Sequence, residues 1–216
     1  DSAETLRLLS SHISRSNAQF LEFVNDTYFQ VTDGFVSEDL GKLQKAVTGL
    51  RRERMELKQT RRKEMLGLRR IDPDVAIEKN TWFHLGINSC EDMLYSLRRI
   101  CDPCEEHIDN SFVPLDKERV KEFLPLRDTL LYLLKRIGGV ISAGDFTDVQ
   151  KLNEQCDAFK HCLSQTRDEQ MARMQAGREN ITVSYVYLNI LQETQEMASS
   201  LKHMLRAARH FSEGRA

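Results

Sequence analysis

Apolar positions along this chain recur by three and four over long stretches, and no strand-like alternation by two persists for a useful length. The clearest stripe runs through Phe83, Gly86, Cys90, Met93, Leu97, Ile100, Cys104 and His107. A second runs through Tyr187, Ile190, Thr194, Met197, Leu201, Met204, Ala208 and Phe211. Such spacing lays one lengthwise seam on a helix, and small residues such as Gly86 and Cys90 let a neighbouring helix approach closely. The two stripes are offset by 104 residues, close to half of the 216-residue chain. The segments EDMLYSLRRI (Glu91 to Ile100) and QEMASSLKHM (Gln195 to Met204) match at the same offset, in Met93 with Met197, Ser96 with Ser200 and Leu97 with Leu201. Asp92 with Glu196 and Arg98 with Lys202 keep charge as well. The pattern predicts a duplicated unit of about a hundred residues.

Start and stop signals divide the chain into six helices, three per half. The first is expected from Ala3 to Thr32, stopping at Asp33-Gly34. The second follows Ser37 as N-cap and runs to Arg70. Asp72-Pro73 supplies a cap and a proline at the first helical position, so the third starts there and reaches Glu106, with Pro103 bending its end. A connector from Asp109 to Leu115 separates a first repeat, residues 1–110, from a second, residues 111–216. Asp116 caps the fourth helix, which contains Pro125 and ends over Gly138-Gly139 and Gly144. The fifth spans Asp145 to Ala176 and the sixth Asn180 to Phe211. The fold class expected is all-α.

Composition narrows the class. Charged residues make up 30% and hydrophobic ones 40%, with four prolines and ten glycines, a helix-rich profile. A net charge of −2 excludes a nucleic-acid binder that works by bulk charge. No apolar run approaches the length of a membrane span, so the chain reads as soluble. It opens on Asp1 without the pattern of a secretory signal, and reads as a piece excised from a longer protein. Five cysteines, an odd number, suit reduced thiols. Cys101, Cys104 and His107 have a spacing that could supply three soft metal ligands. The repeat aligns them with Leu205, Ala208 and Phe211, which makes them packing positions.

Charge is unevenly spread. The stretch from Arg51 to Arg70 holds nine lysines and arginines against three glutamates, a local charge of +6. Such a segment could dock on an anionic membrane surface or an acidic partner, but the ordinary reading is a solvated face balanced by neighbouring carboxylates. Arg54 and Arg61 fall in the seam made by Leu43, Val47, Leu50, Leu57 and Leu68, so both are expected to lean inward. In the second half the matching seam is Val149, Asn153, Cys156, Leu163 and Met174, and the positions of Arg54 and Arg61 hold Lys160 and Arg167. An inward cation needs a carboxylate or a bound anion. Asp26 and Asp128, each followed by threonine at matching places, are the candidate carboxylates; the other reading makes the four cations a contact set for phosphate or a partner. Catalytic constellations are thin. No Gly-rich phosphate loop, His-Glu-x-x-His or Gly-x-Ser-x-Gly occurs, and the histidines have no ligand-like spacing. Glu105 and Asp109 lie one helical turn apart at a helix end, where a solvated face is the ordinary reading. No enzyme is expected.

The stretches YLNILQETQEMASSLKHMLRAARHF (Tyr187 to Phe211) and CDPCEEHIDN (Cys101 to Asn110) resemble the cytoplasmic PhoU-like domain that follows the membrane part of bacterial Na+/phosphate cotransporter-related proteins. The resemblance implies a PhoU-like tandem of two three-helix bundles over the whole chain. It implies a non-enzymatic regulatory domain of a sodium-dependent phosphate transporter, on the cytoplasmic side of the bacterial inner membrane within a longer membrane protein. The expected partners are then the membrane domain of that transporter and phosphate or an acidic partner, with no nucleic acid; the long amphipathic helices leave room for a homodimer. PhoU proteins also carry a Glu-x-x-x-Asp motif in each repeat that binds metal clusters. The matching positions here are Glu91 and Tyr95, and Gln195 and Ser199. The loop after His107 likewise departs from the family, with Ser111 and Phe112 where an Asn and a His are common. With one carboxylate of four retained, no metal and no cofactor is expected. Two alternatives remain: a metal-binding PhoU-type domain using Glu91, Cys101, Cys104, His107 or Glu105 with Asp109, and a free-standing helical scaffold for protein interactions.

Overall fold

Short polar side chains open most of the helices by accepting a backbone N–H that would otherwise be orphaned. In the computed structural model, which describes residues 1–213, Asp1, Asp39, Asp72 and Asp116 cap in this way. Asn180 does the same through Val183 N–H at 3.1 Å. The helices they begin are α1 (Ser2–Val36), α2 (Leu40–Leu68), α3 (Pro73–Asp109), α4 (Lys117–Ala143) and α6 (Ile181–Glu213), with α5 (Val149–Gln175) between the last two. The fold is all-α, a tandem of two helical triplets. No helix among the described residues is long and apolar enough to cross a membrane.

Several boundaries differ from the expectation for local reasons. Helix α1 does not stop at Gly34 but runs to Val36, because this glycine serves packing: a Cβ there would lie 3.0 Å from Leu43 Cγ. Ser37 ends α1, and Asp39, not Ser37, caps α2. Helix α4 passes through Gly138 and Gly139 and stops at Gly144, whose φ of +68° is the left-handed conformation that ends helices. Helix α5 starts later than Asp145, whose side chain instead accepts from Thr147 N–H at 3.1 Å in the preceding turn. Helices α3 and α4 both continue past their prolines, Pro103 and Pro125.

The matched stripes pack against each other. Every stripe residue is buried except Gly86 and Ala208, which are half-buried. The α3–α6 interface is the most extensive in the molecule. It runs antiparallel: Lys79 bonds the carbonyl of Phe211, Gly86 faces Ala207, and Arg99 pairs with Glu193. Around it, α1 and α2 flank α3, α5 and α4 flank α6, and α1 also packs on α4. One core cluster draws residues from all six helices, from Phe20 in α1 to Leu205 in α6. Within it the Tyr28 and Thr194 hydroxyls hydrogen-bond at 2.8 Å, joining the two halves. A smaller cluster, Ile13, Leu68, Ile71, Trp82, Phe83, Ala207 and Phe211, fills one end.

Candidate functional site

Seven residues separate Arg54 from Arg61, two turns of helix, yet the structure gives them opposite fates. Arg54 is exposed and Arg61 is only 4% exposed. The inward lean expected of Arg54 is therefore corrected. At about 100° per residue it sits just outside the arc holding Leu43, Leu50, Leu57 and Leu68, while Arg61 falls within it.

The partners expected for the inner cations are corrected too. Asp26 and Asp128 are both exposed, and Asp128 meets only its neighbour Arg127, at 3.3 Å. Arg61 instead donates to Glu64 Oε1 at 2.6 Å, one turn along its own helix, and to Asn17 Oδ1 of α1. Its Nη2 also lies 3.6 Å from Cys90 Sγ of α3, and His12 Nε2 approaches Glu64 Oε2 at 3.4 Å. Burial pulls the Arg61 guanidinium toward neutrality, but Cys90 and Glu64 outweigh it and hold the charge. A side chain so enclosed offers nothing to a partner at the surface.

In the second half Arg167 is half-buried and donates to Gln195 Oε1 at 2.7 Å, and Gln195 donates to the Lys160 carbonyl at 3.1 Å. Lys160 is half-buried with no carboxylate at ion-pair distance among the described residues. Of the four cations, Arg54, Lys160 and Arg167 have no carboxylate at ion-pair distance among the described residues, and Arg54 and Lys160 lie on different helices, α2 and α5.

Arg54 stands over the larger feature, an open groove of about 710 Å³ between α2 and α3. Leu50, Leu57 and Leu94 floor it. Arg51, Arg54 and Lys58 rise from α2, and Glu91, Asp92, Tyr95, Arg98 and Asp102 from α3. Tyr95 is 60% exposed and carries the Arg99 guanidinium over its ring at 4.2 Å. Arg98 is held by Asp102, with Nε 2.8 and 2.9 Å from the two carboxylate oxygens. Arg51, Arg54 and Lys58, which form no ion pair among the described residues, stand beside an exposed aromatic ring and can bind an anion or an acidic side chain.

The same groove tests the metal chemistry that the resemblance raised. Glu91 and Tyr95 line it beside Arg54, and Gln195 is occupied by Arg167. One carboxylate, a phenol, an amide and a hydroxyl among fixed cations do not suit a multinuclear metal cluster. Among the described residues no three His, Cys, Asp or Glu side chains are arranged to hold a metal ion. The Cys101 and Cys104 thiols point into the core, where burial pushes the first up to about 12 and the second well above its ordinary range. His107 is bonded to the Val113 carbonyl at 2.7 Å.

Sequence reasoning missed a second buried polar group. Gln170, fully buried, accepts from Arg173 at 2.6 Å, and Arg173 also reaches Glu122 at 3.1 Å and Glu179 at 3.4 Å. The Tyr187 hydroxyl donates to the same Glu122 at 2.8 Å. The signal was present in the repeat: Gln170 occupies the position of Glu64, so each half buries a polar side chain at the same height.

No family model and no curated protein matches the chain. Solved structures do. PhoU from Pseudomonas aeruginosa superposes with a TM-score of 0.75 at 9% identity, over 95% of this chain and 98% of that one. The phosphate transport system regulatory protein PhoU from Streptococcus pneumoniae superposes with a TM-score of 0.71 at 12% identity, over 97% of each chain. At these identities the likeness is one of fold, and end to end the chain has the fold of PhoU.

Proposed function

We propose that this chain is a non-enzymatic regulator of phosphate transport, acting as the cytoplasmic domain of a sodium-dependent phosphate transporter. The observation that carries the reading is the superposition on two PhoU proteins over nearly the whole of each chain, one of them described as a phosphate transport system regulatory protein. Likeness over a single motif would support much less, since folds are reused for unrelated tasks. The α2–α3 groove supports a contact role: its free cations face outward beside an exposed ring, suited to phosphate or to carboxylates of the transporter's membrane domain.

The test uses uptake of labelled phosphate by cells expressing the complete protein, in sodium and in a sodium-free medium. The reading expects sodium-dependent uptake whose response to phosphate starvation is blunted by Arg54→Ala with Lys58→Ala. Both positions are exposed, so the folded state is preserved, as circular dichroism would verify. Uptake indifferent to sodium sinks the transporter assignment. Regulation unchanged in the double variant sinks the groove.

A further inference from the structure

The charge on α2 is sorted by direction. At about 100° per residue, Glu53 and Glu64 lie on one side of the helix, with Glu56 between them and the basic arc. Arg52, Arg62 and Lys63 occupy an arc of about 100° on the other, with Met55 and Leu66 among them and Arg70 following in the turn after Leu68. All six of these residues are exposed, Met55 at 65% and Leu66 at 47%. This is not the side that lines the α2–α3 groove. Helix α2 packs on α1 and α3, and among the described residues its ion pairs are Lys42 with Asp33 and Glu64 with Arg61 and His12. Among the described residues none of the four outer cations is ion-paired, and the one α2 carboxylate near them, Glu56, stands at the edge of the arc.

The internal repeat supplies a control. Helix α5 has the same place in the second triplet, and there the six positions hold Ala158, His161, Asp168, Glu169, Ala172 and Ala176. Where the first half has four cations and two large apolar side chains, the second has two acids, three alanines and a histidine. The fold therefore does not require a basic, apolar-studded surface at this place.

From this asymmetry we infer that the outer face of α2 docks on an anionic phospholipid surface. The face from Arg52 to Leu66 is a strip about 21 Å long at the rise of an α-helix, continued by Arg70 in the turn beyond, and it is convex, with no pocket to enclose a compact ligand among the described residues. Cations spread over such a strip match a plane of lipid phosphates. Met55 and Leu66 project from between those cations, placed to enter the acyl boundary while arginine and lysine stay at the headgroups. An acidic protein segment would be met by the cations alone and gives the two exposed apolar side chains nothing to do. The inference stands on this face and not on the groove or on the transporter assignment.

The test is flotation of the purified chain with vesicles of phosphatidylcholine alone or mixed with phosphatidylglycerol. Binding is expected to the mixed vesicles only, and to fall with added salt. Each basic residue near such a surface strengthens partition about fivefold, so Arg52→Gln, Arg62→Gln and Arg70→Gln together should weaken it by about 100-fold. Met55→Ser with Leu66→Ser should weaken it while leaving the salt dependence intact, and Met55→Trp should shift its fluorescence to the blue on mixed vesicles. Equal binding to both vesicles, or full binding by the triple variant, overturns the inference. So does preference for soluble polyglutamate over vesicles, which would assign the face to an acidic protein. Because Arg51, Arg54 and Lys58 are untouched, failure here leaves the groove and its regulatory role standing.

Discussion

A buried ion pair is costly to break and cheap to replace whole, and Arg61 with Glu64 is a place to see it. Removing one partner leaves an uncompensated charge in the core, so Arg61→Ala should destabilise the chain by about 3 kcal/mol or more. Replacing both with apolar residues of similar size, Arg61→Met with Glu64→Leu, should recover most of that loss. Urea unfolding of Arg61→Met, Glu64→Leu and the double would show it, and additive losses would mean that the pair is not coupled. Glu193 makes a different case. It is 4% exposed, and burial raises its carboxyl above the ordinary value, against hydrogen bonding from Ser96 and the charge of Arg99. A raised folded value means that the native chain holds this proton more tightly than the unfolded chain does. Its contribution is favourable at low pH and is lost as pH climbs from the unfolded value through the folded one. Glu193→Gln should therefore raise stability at neutral pH and lose that advantage below the ordinary carboxyl range, as thermal unfolding across pH would show.

At the scale of the element, identical substitutions should have opposite signs according to what the helix meets. Gly49 lies inside α2 with nothing within 4 Å of where a Cβ would stand, so Gly49→Ala should stabilise by about 1 kcal/mol through helix propensity alone. Gly34 lies inside α1 against Leu43, and Gly34→Ala should cost about 1–3 kcal/mol because that packed side chain has to move. Urea midpoints of the two variants moving the same way would refute the assignment of Gly34 to packing. The contrast also marks what the amino-acid pattern could reveal. The seams of α3 and α6 were legible because burial itself sets their spacing, and the caps at Asp72 and Asp116 because capping depends on near neighbours. Gly34 read as a helix stop because its reason for being glycine lies on another helix. Arg54 and Arg61 differ by only about 20° around one seam, so the pattern placed both on it, and the packing of Asn17 from α1 and Cys90 from α3 around Arg61 alone separates them. The +6 charge of α2 was legible as a sum, but not as a face, until the packing showed which side remains open.

For the molecule as a whole, the antiparallel crossing of α3 and α6 makes the chain resemble a two-fold dimer of triplets joined by a short linker. In such an arrangement each half presents the seam that buries the other. Met93, Leu97 and Ile100 on one side, with Met197, Leu201 and Met204 on the other, are all inaccessible to solvent only because both helices are present. Residues 1–110 produced alone would thus expose the side of the α3 stripe that α6 covers, an apolar surface larger than soluble monomers ordinarily tolerate. Because the stripe matches that of α6 position by position, the cheapest cover is a second copy of the same fragment. We expect the fragment to sediment as a homodimer, and to give a one-to-one complex when co-expressed with the remainder of the chain, since the Tyr28–Thr194 hydrogen bond forms only across unlike halves. Replacing Leu97 with Asp should abolish both assemblies. A monomeric fragment that unfolds cooperatively at dilution would show instead that each triplet has a self-sufficient core, and that the shared seam follows folding without driving it.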